Sequence, residues 1–286
     1  MIQAQRPHLA VATYTHPGLS GKINEDRLAI ASYQGASRRP VLLAVVSDGI
    51  GGHRAGEVAA QFTVQHIVQE VSNSDGAEPL RIMEAAIHAA SQAIAERSAR
   101  HADQAGMGST CACAWIEGDR LYTAYVGDSR IYLVRDERIY RTTVDHTWVQ
   151  EAIERGIITP EQAHDHPNVH VLRRHLGSVE LPDVDTRLHL DAAESDELAR
   201  LNQGMQLQPG DFLLVCTDGL TDRVWDDEIM RLITTRNTLK SAAEDLVDRA
   251  NERGGHDNTT VVLIGVPVPT SARKTKKGFL RSILGA

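Results

Sequence analysis

Residues 41–57 read VLLAVVSDGIGGHRAGE, and the reading of this stretch decides the rest. Six apolar residues, Val41 to Val46, run unbroken into Ser47-Asp48, and four glycines follow between Gly49 and Gly56. An apolar run bounded by glycines is the pattern of a strand buried on both faces. A helical pattern begins near Gly56. The strand thus delivers one carboxylate, Asp48, to a place where a glycine-rich backbone lets a ligand or ion come close. Taken alone, the stretch fits equally well a strand, a turn and a helix with an ordinary turn aspartate.

The neighbouring segments repeat the design. Leu9–Thr15 and Arg27–Tyr33 alternate as strands, with Asn24-Glu25-Asp26 just before the second. Apolar residues recur at helical spacing from Gly56 to about Val71 and from Pro79 to about His101. Strand patterns follow at Ser109–Ile116, Leu121–Val126, Arg130–Arg135 and Arg138–Thr142, with Gly127-Asp128 between two of them. Residues 145–177 change character, with short helical pieces and a Pro160 helix start, and read as a flap. Val184–Leu190 alternates as a further strand. Asp211–Gly219 repeats the opening pattern, an apolar strand ending in Asp218-Gly219. Helices are expected near Asp226–Thr234 and Leu239–Arg253, and a last strand at Thr259–Val266 follows Asp257-Asn258. Antiparallel hairpins with helices in pairs predict an α+β fold, a central antiparallel β-sandwich flanked by pairs of antiparallel helices, with a flap subdomain.

Asp48, Asp128, Asp218 and Asp257 all stand where apolar strands meet glycine-rich or polar turns. Isolated anions are costly to bury there, and clustered carboxylates repel unless a cation compensates them. Oxygen-only ligation suits hard ions, Mn²⁺ or Mg²⁺. Two such ions sharing a carboxylate turn water into a nucleophile and clamp a phosphoryl group. The five flap histidines, His146, His164, His166, His170 and His175, match no closed zinc spacing.

Composition narrows the class. A chain of 286 residues with 42% hydrophobic content can bury a full core. Its net charge of −8 argues against a general nucleic-acid binder. Cys111 and Cys113 fall two apart in one strand, roughly 6.5–7 Å from each other, too far for an easy disulfide. With Cys216 they make three apolar-run thiols, which suits a reducing, cytoplasmic setting. The sequence shows no secretory pattern and no apolar run of membrane-spanning length.

In their order and intervals, Asn24-Glu25-Asp26, Ser47 to His53, Val126 to Arg130, Cys216 to Leu220 and Gly255 to Thr260 resemble the metal-dependent Ser/Thr protein phosphatases of the type 2C class. Gly156 to Pro167, with Val171-Leu172-Arg173 and Leu176-Gly177, is similar to the flap of the bacterial branch. The resemblance spans Leu9 to Val266. It implies a binuclear Mn²⁺/Mg²⁺ centre at one edge of the sandwich. Asp48 would bridge both ions, Gly49 would offer its carbonyl, and Asp218 and Asp257 would hold one ion. Asp26 would act directly or through water, and Asp128 with Asp218 would serve a third, weaker site. Asn258 would orient Asp257, while Arg130 and Arg173 would be structural or flap positions. Phosphorylated proteins made by a Ser/Thr kinase are the implied substrates, and a monomer is expected.

The chain departs from the family at two places. Many members carry an Arg five residues before the Asp26 position, where it binds the substrate phosphate; here that residue is Gly21, and Lys22 beside it offers only a point charge. The histidine that eukaryotic members place after Asp-Gly is Ile50, so His53 is the nearest candidate acid. Other phosphatase chemistries fail on spacing: the Arg after Cys216 comes at the seventh position, and no apolar strand precedes Asp183-Val184-Asp185-Thr186. A phosphatase domain is therefore expected over 1–268. The basic tail, 269–286, is read as solvated, with a basic amphipathic helix that docks on a membrane surface or partner as the other reading. The missing Arg leaves a second functional class open, a catalytically weak or inactive module that binds phosphoproteins.

Overall fold

In the computed structural model the described residues are 1–35, 37–51, 55–163 and 166–268. The chain begins with strands β1 (Ile2–Gln3), β2 (Ala10–His16), β3 (Arg27–Gln34), β4 (Pro40–Ser47) and β5 (Gly49–Ile50). Helices α1 (Ala55–Asn73) and α2 (Pro79–Arg100) follow, α2 opening with Pro79. The middle supplies β6 (Gly108–Ser109), β7 (Cys111–Glu117), β8 (Arg120–Val126), β9 (Arg130–Arg135) and β10 (Arg138–Arg141). Short helices α3 (Trp148–Glu154) and α4 (Pro160–Ala163) occupy the flap, α3 capped by the Thr147 hydroxyl, which accepts from the Gln150 N–H. The rest comprises α5 (Asp196–Leu201), β11 (Met205–Gln206), β12 (Phe212–Cys216), α6 (Asp218–Thr221), α7 (Asp226–Thr235), α8 (Leu239–Glu252) and β13 (Thr259–Gly265).

Two sheets, both antiparallel, make the sandwich. One has the order β1-β3-β4-β7-β8-β11 and the other β10-β9-β12-β13-β2. The Val41–Val46 run occupies the centre of the first sheet, and its side chains divide between the two faces. Leu42, Ala44 and Val46 meet Ile131, Leu213, Val215 and Val262 of the second sheet. Leu43 and Val45 turn the other way, to Ile67 of α1 and Met83 and Ile87 of α2. On the far side, Leu214, Val261 and Leu263 pack under Ile229 of α7 and Leu246 and Val247 of α8. Both faces of both sheets are covered, so the central strands read as continuous apolar runs. The expected helix-flanked sandwich is the observed fold.

Three expectations change. Val184–Leu190 is no strand; Leu188 packs into the core between the sheets, and among the described residues the segment's one β-bridge to a sheet joins Asp185 to Tyr125. There Asp185 folds back on its own segment, accepting from the Arg187 backbone N–H and guanidinium. Ser109–Ile116 is split at Thr110, whose N–H donates to the Asp48 carbonyl at 2.8 Å and leaves the ladder. Helix α5 and strand β11 were not anticipated. The 269–286 tail, His53 and His164 lie outside the described residues. Among the described residues, no helix is long and apolar enough to cross a membrane.

Candidate metal centre

The acids gather at one end of the sandwich because its central strands end there. Asp48 follows β4 and is pinned by Thr110: its N–H donates to Thr110 Oγ1 at 2.9 Å, and the Ser47 hydroxyl donates to the Thr110 carbonyl at 2.8 Å. Asp218 follows β12 as the first residue of α6. The preceding Thr217 donates its hydroxyl to Asp26 Oδ2 at 2.9 Å, which ties the Asn24-Glu25-Asp26 loop to the β12 end. Asp257 leads into β13 and accepts the Asn258 N–H at 2.9 Å. Asp128 sits between β8 and β9, where His146 Nδ1 accepts the Gly127 N–H at 3.0 Å.

Both Asp-Gly pairs need their glycine for a close backbone approach. A Cβ on Gly49 would stand 2.1 Å from the Gly56 carbonyl oxygen, and one on Gly219 would stand 1.9 Å from that of Asn258. The glycines let the turn after each central strand press against α1 or the β13 entry, and this brings the acids together.

Within the cluster the carboxyls repel one another. Burial, then the Asp26, Asp218 and Asp128 charges, push the Asp48 carboxyl well above its usual range. Burial raises Asp26 to about 7 and, with Asp222 and Asp257, Asp218 to about 6. Asp128 is pushed well up by burial and then by Asp218 and Asp145. Among the described residues, Asp26 Oδ1 and Asp218 Oδ1 are buried with no hydrogen-bond partner. Buried carboxylate oxygens without donors, in a cluster of like charge, fit divalent cations with oxygen ligation.

A cavity of about 430 Å³ opens over this end, lined by Lys22, Glu25, Asp48, Gly49, Asp128, Asp218 and Asp257 among others. Lys22 Nζ lies 3.9 Å from Asp257 Oδ1. Gly21 has φ +78°, and a Cβ there would meet nothing within 4 Å. The structure thus collects Lys22, Asp26, Asp48, Gly49, Asp128, Asp218 and Asp257 at one end of the sandwich.

Several roles come out differently or were missed. Asn258 holds Asp257 through its backbone; its side chain instead accepts the Glu25 N–H and donates to the carbonyls of Pro17 and Ile23. Glu25, part of the motif but without an expected role, has a buried Oε1 with no hydrogen-bond partner among the described residues. Its charge beside Asp26 was visible in the sequence. Arg130 and Arg173 keep the structural or flap places expected of them: Arg130 forks onto Asp145, and Arg173 pairs with Glu151 at 2.9 Å. The described flap histidines diverge: His146 bonds Asp185 at 3.3 Å, and His166 stacks on Trp148. His170 instead reaches Asp218 and Asp222. Among the described residues, these three form the one set of three candidate ligands whose donor atoms all lie within 4.8 Å. Four-residue spacing of Asp218 and Asp222 was the available signal.

Residues 19–259 match the protein phosphatase 2C family. The chain is 34% identical over 258 residues to the serine/threonine protein phosphatase PstP of Mycobacterium tuberculosis, covering 90% of this chain and 45% of PstP. It therefore spans less than half the length of that relative. A solved serine/threonine phosphatase of S. agalactiae superposes with a TM-score of 0.78 at 31% identity, over 91% of this chain and all (100%) of that one. The catalytic domain of PstP in complex with two manganese ions superposes with a TM-score of 0.72 at 32% identity, over 91% and 99%. Sandwich, flap and clustered acids define the class as the bacterial type 2C phosphatase fold. The chain belongs to the protein phosphatase 2C family.

Proposed function

We propose that this chain is a metal-dependent phosphoprotein phosphatase that hydrolyses phosphoserine and phosphothreonine with activated water. The observation that carries the reading is the set of mutually repelling carboxyls of Asp26, Asp48 and Asp218, the first buried and the others half-buried, with orphaned oxygens on Asp26 and Asp218 among the described residues, in a fold shared with a two-manganese relative. Asp48 would hold both ions, with the Gly49 carbonyl, Asp218 and Asp257 completing their protein ligands. Asp26 would act directly or through water, and Asp128 with Asp218 would serve a weaker third position. When bound, Mn²⁺ or Mg²⁺ supplies a water nucleophile at neutral pH and charge for the phosphoryl oxygens.

The protein's own groups do the positioning. Thr110 fixes the Asp48 backbone, Thr217 fixes Asp26, and Asn258 holds the loop that leads into Asp26. Lys22, more than half exposed at the cavity rim, is placed to meet an entering phosphate as a point charge. No side-chain nucleophile is called for. Cys216 is fully buried among the side chains under α7 and α8, and its thiol is pushed up to about 12 by burial. The substrates would be phosphoproteins made by a Ser/Thr kinase, met in the cytoplasm by a monomer over domain 1–268.

The test is hydrolysis of a phosphothreonine peptide by metal-stripped protein, before and after Mn²⁺ is returned. Turnover that appears with Mn²⁺ and vanishes with chelator supports the reading. Tight Mn²⁺ binding without turnover contradicts it and favours the non-catalytic phosphoprotein-binding module that the glycine at position 21 would suit.

A further inference from the structure

Asp218 opens α6 and Asp222 follows its last residue, so their carboxylates fall four apart, on one side of a single helical turn. The flap brings a third group from a different part of the chain. His170 Nδ1 lies 3.9 Å from Asp218 Oδ2 and 3.6 Å from Asp222 Oδ2. Both separations are too long for hydrogen bonds. They are separations that donors on one ion take, since two ligands each about 2.1 Å from a metal stand at most about 4.2 Å apart.

A further observation points to a cation there. Among the described residues, the Asp222 carboxylate has His170 as its one ion-pair partner, although that side chain is only 30% exposed. The position is also open to entering ions. His170 and Asp218 line both the 430 Å³ cavity over the acids and a groove of about 900 Å³ beneath the flap, and Asp222 lines the groove as well. His170 itself is 63% exposed, which leaves room for waters to complete a coordination shell.

We propose that His170 and Asp222, with Asp218 shared with the acid cluster, form a cation site that joins the flap to α6 and takes a first-row transition ion, Zn²⁺ or Mn²⁺, ahead of Mg²⁺. The imidazole nitrogen sets this preference, because Mg²⁺ selects oxygen ligands and sheds its waters reluctantly. The donor set differs from the Asp128–Asp218 pair of the expected third position in carrying a nitrogen and in drawing on the flap. An ion here holds residue 170 against the helical turn that begins with Asp218. Flap position thereby follows transition-metal supply while the acid cluster can still be filled by Mg²⁺.

The experiment is calorimetric titration of metal-stripped Asp48→Asn protein, in which the shared acid of the two-ion centre is removed, with Zn²⁺ and with Mg²⁺. The expected result is one Zn²⁺ per chain, bound more tightly than Mg²⁺. Adding His170→Ala or Asp222→Asn should weaken Zn²⁺ by at least about tenfold, since even outer-shell partners of a metal are worth that much. Circular dichroism of the metal-free variants controls for folding, which an exposed His170→Ala should not disturb. Zn²⁺ affinity unchanged in both double variants overturns the proposal, as does Mg²⁺ binding that falls with His170→Ala as far as Zn²⁺ does. Failure of the phosphatase reading looks different: wild-type protein that shows no turnover yet loses Zn²⁺ with His170→Ala leaves this site standing.

Discussion

The Asn258 carboxamide oxygen accepts the Glu25 backbone N–H at 2.7 Å, across 233 positions of the chain. The same side chain donates to the carbonyls of Pro17 at 3.0 Å and Ile23 at 3.1 Å. One 5%-exposed amide thus holds the Asp26 loop against the start of β13. Asn258→Ala leaves an N–H and two carbonyls without these partners. A loss of about 3 kcal/mol is expected in urea unfolding, and Mn²⁺ affinity should fall at least about tenfold. Unchanged Mn²⁺ affinity in a folded variant contradicts the positioning role.

Gly219→Ala places a methyl 1.9 Å from the Asn258 carbonyl oxygen, so the backbone must move. The expected cost is about 3 kcal/mol, at the upper end for overpacking, together with weakened metal binding because Asp218 precedes it. Gly35→Ala, whose nearest neighbour would be 3.8 Å away, is the control and should change stability by less than about 0.5 kcal/mol. Equal urea midpoints for the two variants would refute the close-approach argument.

Metal-free protein should lose stability as pH rises. Burial lifts Asp26 to about 7 and Asp218 to about 6, whereas an unfolded chain titrates aspartate near 3.9. Between about pH 4 and 7 the folded state therefore holds more protons than the unfolded one, and unfolding free energy falls with pH. Mn²⁺ binding needs those protons gone, so its stabilisation grows over the same window. In chelator the thermal midpoint should be lower at pH 7 than at pH 5 by about 3 °C or more, with Mn²⁺ reversing the order. A midpoint in chelator that rises from pH 5 to 7 speaks against an uncompensated acid cluster.

Lys22 and Asp257 are both more than half exposed, so their 3.9 Å approach contributes little to stability. Against an entering phosphate, Lys22→Ala should raise KM about three- to fivefold with little change in kcat, and Lys22→Arg should keep KM near wild type. Steady-state kinetics on a phosphothreonine peptide decide it. A fall in kcat at constant KM would move Lys22 out of substrate binding.

The sandwich was legible because its central strands are covered on both faces, which leaves long apolar runs such as Val41–Val46. Asp48, Asp128, Asp218 and Asp257 stood out because each lies where an apolar strand meets a turn, beside a glycine or asparagine. Val184–Leu190 misled because its alternation of Val184, Thr186, Leu188 and Leu190 mimics a strand, while Arg187 and Asp185 pair with each other in place of a ladder. The six residues of α5 and two of β11 are too short for any periodicity to register. The approach of His170 to Asp222 depends on how the flap folds over α6, and no spacing rule links residues 52 positions apart. Glu25 stood in view, but adjacent acids in a turn usually point to solvent.

Asp48 is the acid that the account cannot lose. The decisive measurement is Mn²⁺-supported hydrolysis of a phosphothreonine peptide by metal-stripped wild-type and Asp48→Asn proteins, with circular dichroism confirming that both are folded. The account predicts turnover in the wild type only when Mn²⁺ is present, and a loss of at least about a hundredfold in Asp48→Asn. Full turnover by metal-stripped Asp48→Asn protein would contradict it.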